Sequence, residues 1–161
     1  NHNASTLPSE SYNSNTLDYD IAVLILSSAI SIDNLNTRLI PLPAKDLNVA
    51  TGASALVTGW GTTSSGGSIP STLRKVTLPV VAQATCASAY AGFNTITARM
   101  ICGGRVGVGG VDACQGDSGG PFVVNGVIVG VTSWGNGCAL ASYPGVWTRV
   151  PALVDWINGQ L

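Results

Sequence analysis

Residues 112–121 read DACQGDSGGP, and they place Ser118 between an aspartate and two glycines. Glycine adopts backbone angles that are closed to other residues, so the chain can turn sharply around Ser118. A tight turn can aim successive N–H groups at one point, where they would stabilise the oxyanion formed when a serine attacks a carbonyl. Taken alone, the same residues also fit a Gly-rich turn with an Asx-type hydrogen bond from Asp117. The stretch therefore predicts either a nucleophile or a structural turn.

The composition excludes several classes of protein. The 161 residues suffice for one domain with a sizeable core, and a hydrophobic content of 45% argues against disorder. The net charge is −1, so no basic surface indicates a nucleic-acid partner or an anionic membrane. The longest apolar runs, such as Ile21–Leu26, are far too short to span a bilayer. We therefore expect neither nucleic acid nor a membrane as a partner.

The four cysteines are Cys86, Cys102, Cys114 and Cys138. By themselves they allow three disulfide pairings. A zinc site is the rival hypothesis, but the sequence has no C-x-x-C motif and His2 is remote from every cysteine. We therefore expect no metal and no cofactor. An even number of cysteines, only 9% charged residues and a glycosylation sequon at 3–5 are typical of a secreted, oxidised protein.

Short apolar runs separated by turn residues predict strands. They lie at Ile21–Leu26, Ala53–Thr58, Leu73–Val81, Phe122–Val124, Val127–Val129 and Val146–Val150. We expect the first of these strands to be buried, because all of its residues are apolar. Asn125 and Gly126 predict a hairpin with a type I′ turn. Many short strands with Gly-rich turns predict an all-β fold, either an antiparallel barrel or a sandwich.

Helix is predicted in only two places. Thr85 is a candidate cap for a short helical turn that runs through Tyr90. The C-terminal helix has the clearer signal, since Pro151 suits a first helical position and Gly159 can end it. Pro41–Pro43 is the best candidate for a linker.

Gly116–Pro121 resembles the nucleophile motif of the chymotrypsin-like serine proteases. Four further stretches match that family in the same order: Asp20–Leu24, Gly59–Gly61, Ser133–Gly135 and Pro144–Val146. The match extends from about Tyr12 to the C-terminus, and the stretch 133–139 most resembles trypsins, fungal ones among them. The resemblance implies a double antiparallel β-barrel. Residues 41–161 are expected to form a complete second barrel with the C-terminal helix, and residues 1–40 a remnant of the first barrel.

The resemblance also implies a catalytic site. Ser118 would be the nucleophile, and the backbone N–H groups of Gly116 and Ser118 would form the oxyanion hole. Asp20 would orient the catalytic imidazole and stabilise its charged form. Asp117 would be the activation partner, because in this family a newly cut N-terminal ammonium pairs with the aspartate beside the nucleophile.

A substrate pocket follows from the same resemblance. Asp112 would form its floor and favour a substrate Lys or Arg, since a guanidinium can bind a carboxylate through paired hydrogen bonds. Gly135 and Gly145 would leave room in the walls. Ser133, Trp134 and Gly135 would pair, as a strand edge, with an extended substrate. The implied function is a secreted endopeptidase that cleaves protein or peptide substrates after Lys or Arg.

The cysteines and tryptophans receive structural roles. The resemblance implies one disulfide between Cys114 and Cys138, which would tie the pocket walls, and another between Cys86 and Cys102. Three tryptophans are expected to pack rather than to bind a ligand, namely Trp60, Trp147 and Trp156.

Two family segments do not occur in the sequence: an Ile/Val-Val-Gly-Gly-like start and the Ala-Ala-His-Cys segment that holds the base. His2 is the only histidine, and its neighbours do not match that segment. We therefore expect an incomplete and monomeric chain that is inactive alone, for lack of the catalytic His and the activated N-terminus. The alternative is a non-catalytic serine protease homologue that binds other proteins. A third hypothesis is a small β-barrel in which residues 116–120 form a purely structural turn.

Overall fold

Residues 4–161, which a computed structural model describes, consist mainly of short strands. The strands are β1 (Ala4–Pro8), β2 (Ala22–Leu26), β3 (Ser54–Gly59), β4 (Arg74–Val81), β5 (Met100–Gly103), β6 (Pro121–Val124), β7 (Val127–Trp134) and β8 (Gly145–Arg149). The helices are α1 (Gln83–Ala89) and α2 (Val154–Gly159), and α2 continues a 3-10 turn at Val150–Leu153.

Strands β3 to β8 close into an antiparallel barrel in the order β3-β4-β5-β8-β7-β6. Side chains alternate between the two faces of a strand, and in β3 the buried Ala55 and Val57 flank the exposed Leu56. The buried faces meet inside the barrel, where Phe122 and Trp147 are fully buried with ring centroids 4.4 Å apart. Removing this apolar face from water is the main contribution that favours the barrel.

The turn between β6 and β7 is formed by Asn125 and Gly126, whose φ angles are 50° and 78°. Two consecutive positive φ angles are typical of a type I′ turn, and the twist of that turn matches the twist of an antiparallel pair. The predicted hairpin is confirmed. Because β6 begins directly after the Ser118 turn, the hairpin attaches one side of that turn to the barrel.

β1 and β2 form a separate two-stranded antiparallel sheet. The run Ile21–Leu26 is a strand as predicted, but the expectation that it is buried is wrong. Leu24 is 60% exposed, and within β2 only Val23 is half-buried. Among the described residues β2 pairs with β1 alone, and a sheet of two strands cannot cover its own apolar side chains.

Both predicted helices form, but the cap predicted for the first of them does not. α1 begins after Ala82, which has extended backbone angles at the end of β4, so Thr85 lies inside the helix and does not cap it. Pro151 lies at the start of the 3-10 turn, and α2 ends at Gly159. The C-terminal helix is therefore confirmed, and the cap predicted at Thr85 is wrong.

The all-β fold class is confirmed by the closed six-stranded barrel, the separate two-stranded sheet and the short C-terminal helix. β1 and β5 were not predicted, because β1 carries few apolar residues and β5 is buried at every position, so neither alternates. The division into residues 1–40 and 41–161 stays a prediction. In the part of the chain that the structure describes, no helix has the length and apolar character needed to cross a membrane.

Trp60 departs from the packing role expected of it, since it is 55% exposed. It lies between Gly59 and Gly61, the two positions at which the backbone approaches the Asp117 carboxylate. Trp147 is fully buried, and Trp156 is half-buried.

We expect Phe122→Ala to lower the free energy of unfolding by about 3–5 kcal/mol, because the substitution leaves a cavity against Trp147 in the closed barrel. Urea denaturation would measure the change. Leu56→Ala is the matched control on the outer face of β3, and it should cost less than about 1 kcal/mol. Equal losses in the two variants would show that the barrel interior is not the core.

Candidate active site

The turn that carries Ser118 is held by backbone hydrogen bonds. The N–H of Gly120 donates to the carbonyl of Asp117 at 2.8 Å. Gly116 and Gly119 have φ angles of 96° and 79°, which L side chains rarely adopt. The turn leaves Ser118 exposed at the surface of the barrel.

The carboxylate of Asp117 fastens this turn to the end of β3. It accepts hydrogen bonds from the N–H groups of Gly61 at 2.8 Å and Cys114 at 2.9 Å. A Cβ atom at Gly59 or Gly61 would lie 2.0 or 2.4 Å from carboxylate atoms of Asp117. Only glycine fits at both positions, so the approach of Asp117 explains the Gly-Trp-Gly stretch. The predicted activation partner already has two backbone donors in this structure.

Asp20 lies directly before β2 and is fixed by two hydroxyl groups of the barrel. Ser133 Oγ donates to Asp20 Oδ2 at 2.6 Å, and Thr148 Oγ1 donates to the backbone carbonyl of Asp20 at 2.6 Å. The hydroxyl of Ser133 was not predicted to contact Asp20. No sequence signal for it exists, because the two residues are 113 positions apart.

Two cavities meet at Ser118. One, of about 160 Å³, is lined by Asp112 and by residues 132–135, among others. The other is a cleft of about 750 Å³ between the β1–β2 sheet and the barrel, and Asp20 lies on it. Ser118 lines both, so the predicted nucleophile shares one cavity with Asp112 and the other with Asp20.

The carboxylate of Asp112 is largely buried and has no cation beside it. It accepts hydrogen bonds from the N–H groups of Ala113 at 2.8 Å and Ala139 at 3.0 Å. Burial nevertheless raises the pKa of Asp112 to about 6, because the two backbone donors offset only part of the loss of water. Among the described residues the ion pairs are Lys45–Asp155 and Arg99–Asp18, so the charge of Asp112 is left for a cation from outside.

The walls of the Asp112 cavity are kept open by missing side chains. A Cβ atom at Gly145 would lie 2.2 Å from Asp112 Oδ1 and 2.7 Å from Trp147 Cη2. A larger residue there would therefore fill the cavity. Trp147 was predicted only as a packing residue, but it also lines this cavity. Its place two residues after Gly145 on β8 was an available signal, since alternate strand residues share a face.

The segment predicted to bind the substrate backbone lies at the end of β7. The β7–β8 pairing shifts register between Thr132 and Trp134, so Ser133 stands at an irregularity in the ladder. Trp134 packs edge-on against Tyr90 with ring centroids 4.8 Å apart, and Gly135 is exposed. The exposed end of this strand leaves backbone groups beside the cavity.

The described residues form two disulfides, and one of them lies at the Asp112 cavity. Cys114–Cys138 joins the residues before Ser118 to the loop after β7, and both cysteines line the Asp112 cavity. Cys86–Cys102 joins α1 to β5. Within residues 4–161 no group of three His, Cys, Asp or Glu side chains is placed to hold a metal ion. His2 lies outside the described residues.

Comparison with known proteins agrees with this geometry. The family model for trypsin matches residues 2–157. The chain belongs to the trypsin family. Trypsin Blo t 3 of Blomia tropicalis is 49% identical over 153 residues, which cover 94% of this chain and 58% of that protein. The resemblance to fungal trypsins in particular is not confirmed.

Two further relatives of this trypsin-family chain are about equally similar. Trypsin alpha-3 of Lucilia cuprina is 50% identical over 92% of this chain and 87% of its own length. A trypsin of Phaedon cochleariae is 46% identical over 92% of this chain and 57% of its own length. The chain thus spans little more than half of the Blomia and Phaedon proteins.

We expect the stability of the chain to fall as pH rises from about 4.5 to 7. The pKa of Asp112 is about 6 when folded and near 3.8 when unfolded, so the folded state holds a proton that the unfolded state has lost. Deprotonation of Asp112 should then lower the free energy of unfolding by up to about 3 kcal/mol. The pKa of Asp18 is lowered in the folded state, so Asp18 makes the free energy of unfolding depend on pH only at and below its unfolded pKa of 3.8. That range lies below the window in which Asp112 acts.

Chemical denaturation at several pH values measures this dependence. Asp112→Asn is the matched variant, and its stability should be nearly constant over the same window. A wild-type curve parallel to that of the variant would contradict the buried, unpaired state of Asp112.

Proposed function

We propose that this trypsin-family chain carries the nucleophile and substrate pocket of a secreted serine endopeptidase that cleaves proteins after Lys or Arg. The observation that carries the proposal is the position of Ser118, which lines both the Asp112 cavity and the Asp20 cleft. A peptide whose cationic side chain enters the cavity presents its next bond at the mouth, where Ser118 stands. The reaction class is acyl transfer to serine.

In this reaction Ser118 Oγ attacks the scissile carbonyl, and the N–H groups of Gly116 and Ser118 stabilise the oxyanion. Within residues 4–161 neither N–H donates to another protein group, so both are available to a substrate. The hydrogen bonds of Asp117 support the same assignment, because they hold the residue that lies between these two donors.

The described residues do not supply the general base. We assign it to an imidazole from polypeptide beyond this sequence, oriented by Asp20. The greater length of the relatives supports this assignment, as does the open cleft at Asp20, where apolar side chains of β2 such as Leu24 are exposed. The hydrogen bond from Ser133 holds the Asp20 carboxylate toward the cleft that an imidazole would enter.

Specificity is assigned to the charge and shape of the Asp112 cavity. A substrate guanidinium or ammonium would pair with a carboxylate that has no cation of its own, and the space left by Gly145 admits a long side chain. Ser133, Trp134 and Gly135 would pair with the extended substrate backbone. The secreted address is proposed because both disulfides require an oxidising compartment and the described residues hold no free cysteine.

The second candidate function is a non-catalytic homologue that binds proteins through the same surface. It is favoured by the histidine content of the sequence, in which His2 stands alone. The two functions differ in the reactivity of Ser118, because a serine without a base is a weak nucleophile.

The protein in its natural form is expected to react at Ser118 with a fluorophosphonate probe, and mass spectrometry of the labelled peptide would locate the adduct. Ser118→Ala should abolish labelling, whereas Ser71→Ala, at an exposed serine outside both cavities, should leave Ser118 reactive. Sequencing the transcript upstream of Asn1 would show whether a histidine segment is encoded there. An unreactive Ser118, with no histidine segment encoded upstream or in a partner chain, would establish the non-catalytic function.

Asp112→Ser is expected to lower kcat/KM of the active protease on Arg substrates by a factor equivalent to about 2–5 kcal/mol, because the substrate cation loses its buried partner. Substrates with an apolar residue at that position should lose far less. Peptide amides of both kinds give the comparison, and Asp155→Ser removes an exposed carboxylate as the control. Equal losses on both substrates would refute the assignment of the pocket.

A further inference from the structure

A cluster of charged and aromatic side chains surrounds Asp18, outside both cavities. Asp18 is only 8% exposed. Arg99 binds it with two donors, Nε to Oδ1 at 3.1 Å and Nη2 to Oδ2 at 2.5 Å, and Thr97 Oγ1 donates to Oδ1 at 2.9 Å. The guanidinium carbon of Arg99 also lies 4.7 Å from the centroid of the Tyr19 ring. The proposed reaction assigns no role to these residues.

The ion pair stays charged although it is partly buried. Burial opposes the ionisation of Asp18, but the hydrogen bonds from Arg99, Thr97 and the N–H of Tyr19 outweigh it and keep the pKa of Asp18 below its usual value. The hydrogen bond to Asp18 raises the pKa of Arg99. A guanidinium that binds a carboxylate through two donors defines an orientation as well as a distance.

The residues on either side of Asp18 have unfavourable backbone angles. Leu17 and Tyr19 have φ angles of 57° and 54°, in the left-handed region that bulky side chains avoid. Such residues persist there only when the surrounding contacts hold them. These contacts include the hydrogen bond from Asn94 Nδ2 to the carbonyl of Thr16 at 3.0 Å, those of Asp18, and the hydrogen bond from the N–H of Ile21 to the carbonyl of Tyr19 at 2.9 Å.

The strained turn ends at Asp20. The carbonyl of Asp20 meets Thr148 Oγ1, and its carboxylate meets Ser133 Oγ, both at 2.6 Å. A change of the φ and ψ angles at Tyr19 would swing Asp20 away from both hydroxyl groups. Arg99 is itself tied to the barrel, because its carbonyl accepts the N–H of Arg149 at 2.8 Å.

We propose that the Asp18–Arg99 ion pair is a positioning device that holds the strained turn against the barrel and thereby sets the place of the Asp20 carboxylate. The pair connects the turn to a residue anchored on β8, so it acts on Asp20 through the backbone and touches no substrate. The role in catalysis rests on the proposed function, since Asp20 matters there as the group that orients the imidazole. The geometric claim can be tested without any hydrolysis.

The experiment follows two NMR signals in the 161-residue chain, namely the ¹³C resonance of the Asp20 carboxylate and the hydroxyl proton of Ser133. Arg99→Gln should displace the Asp20 resonance and abolish the protection of the Ser133 hydroxyl from exchange with water. Arg99→Lys keeps the positive charge but loses the two-donor hydrogen bond to Asp18 and the guanidinium contact with the Tyr19 ring. It should therefore displace both signals by less than Arg99→Gln does. Lys45→Gln is the control, because it removes an exposed ion pair with Asp155 far along the chain.

The outcomes separate positioning from simple stabilisation. A graded displacement from wild type through Lys to Gln, with unchanged amide resonances in the barrel and no effect of Lys45→Gln, supports the proposal. Unchanged Asp20 and Ser133 signals in folded Arg99→Gln would overturn it, and so would an equal displacement in Lys45→Gln. If Arg99→Gln does not fold, Arg99→Lys decides by the same criterion. Failure of Ser118 to react with a fluorophosphonate would count against the proposed function and would leave this result unchanged.

Discussion

The carboxylate of Asp117 connects the end of β3 with the turn that carries Ser118, through hydrogen bonds from Gly61 and Cys114. If the turn shifted relative to β3, both N–H groups would lose their partner and a partly buried carboxylate would be left uncovered, which is unfavourable. The same approach excludes any side chain at Gly59 and Gly61. The turn that carries Ser118 is thus held in place by a neighbouring residue that does not line the Asp112 cavity.

Two other aspartates show how one residue type serves opposite purposes in different surroundings. Asp18 has a guanidinium, a hydroxyl and an N–H as donors, and these keep its pKa below the usual value. Asp112 has only backbone donors, and burial raises its pKa to about 6. The paired carboxylate stabilises the local fold, whereas the unpaired one remains able to bind a cation that arrives from solution. A strongly shifted pKa in a cavity is the usual sign of such a site.

The elements that could be predicted from the sequence are those whose surroundings stay the same along their length. β3 and β4 have one face in the barrel, so buried and more exposed residues alternate along them with the period of a strand. The hairpin at Asn125 depends on its own backbone angles and was equally visible. β5 was not predicted, because both of its faces are covered and its residues do not alternate. β2 was predicted to be buried, but among the described residues it pairs only with β1.

Local properties were therefore determined by the sequence itself: the all-β class, the glycine turn around Ser118, the type I′ hairpin and the C-terminal helix. The tertiary structure decided the contacts between distant segments. Only the folded barrel places Ser133 against Asp20, Trp147 beside Asp112 and Arg99 on Asp18. The physical reason is that turn angles and periodicity depend on neighbouring residues, whereas the burial, pKa and partners of a side chain depend on whichever segments the fold brings to it.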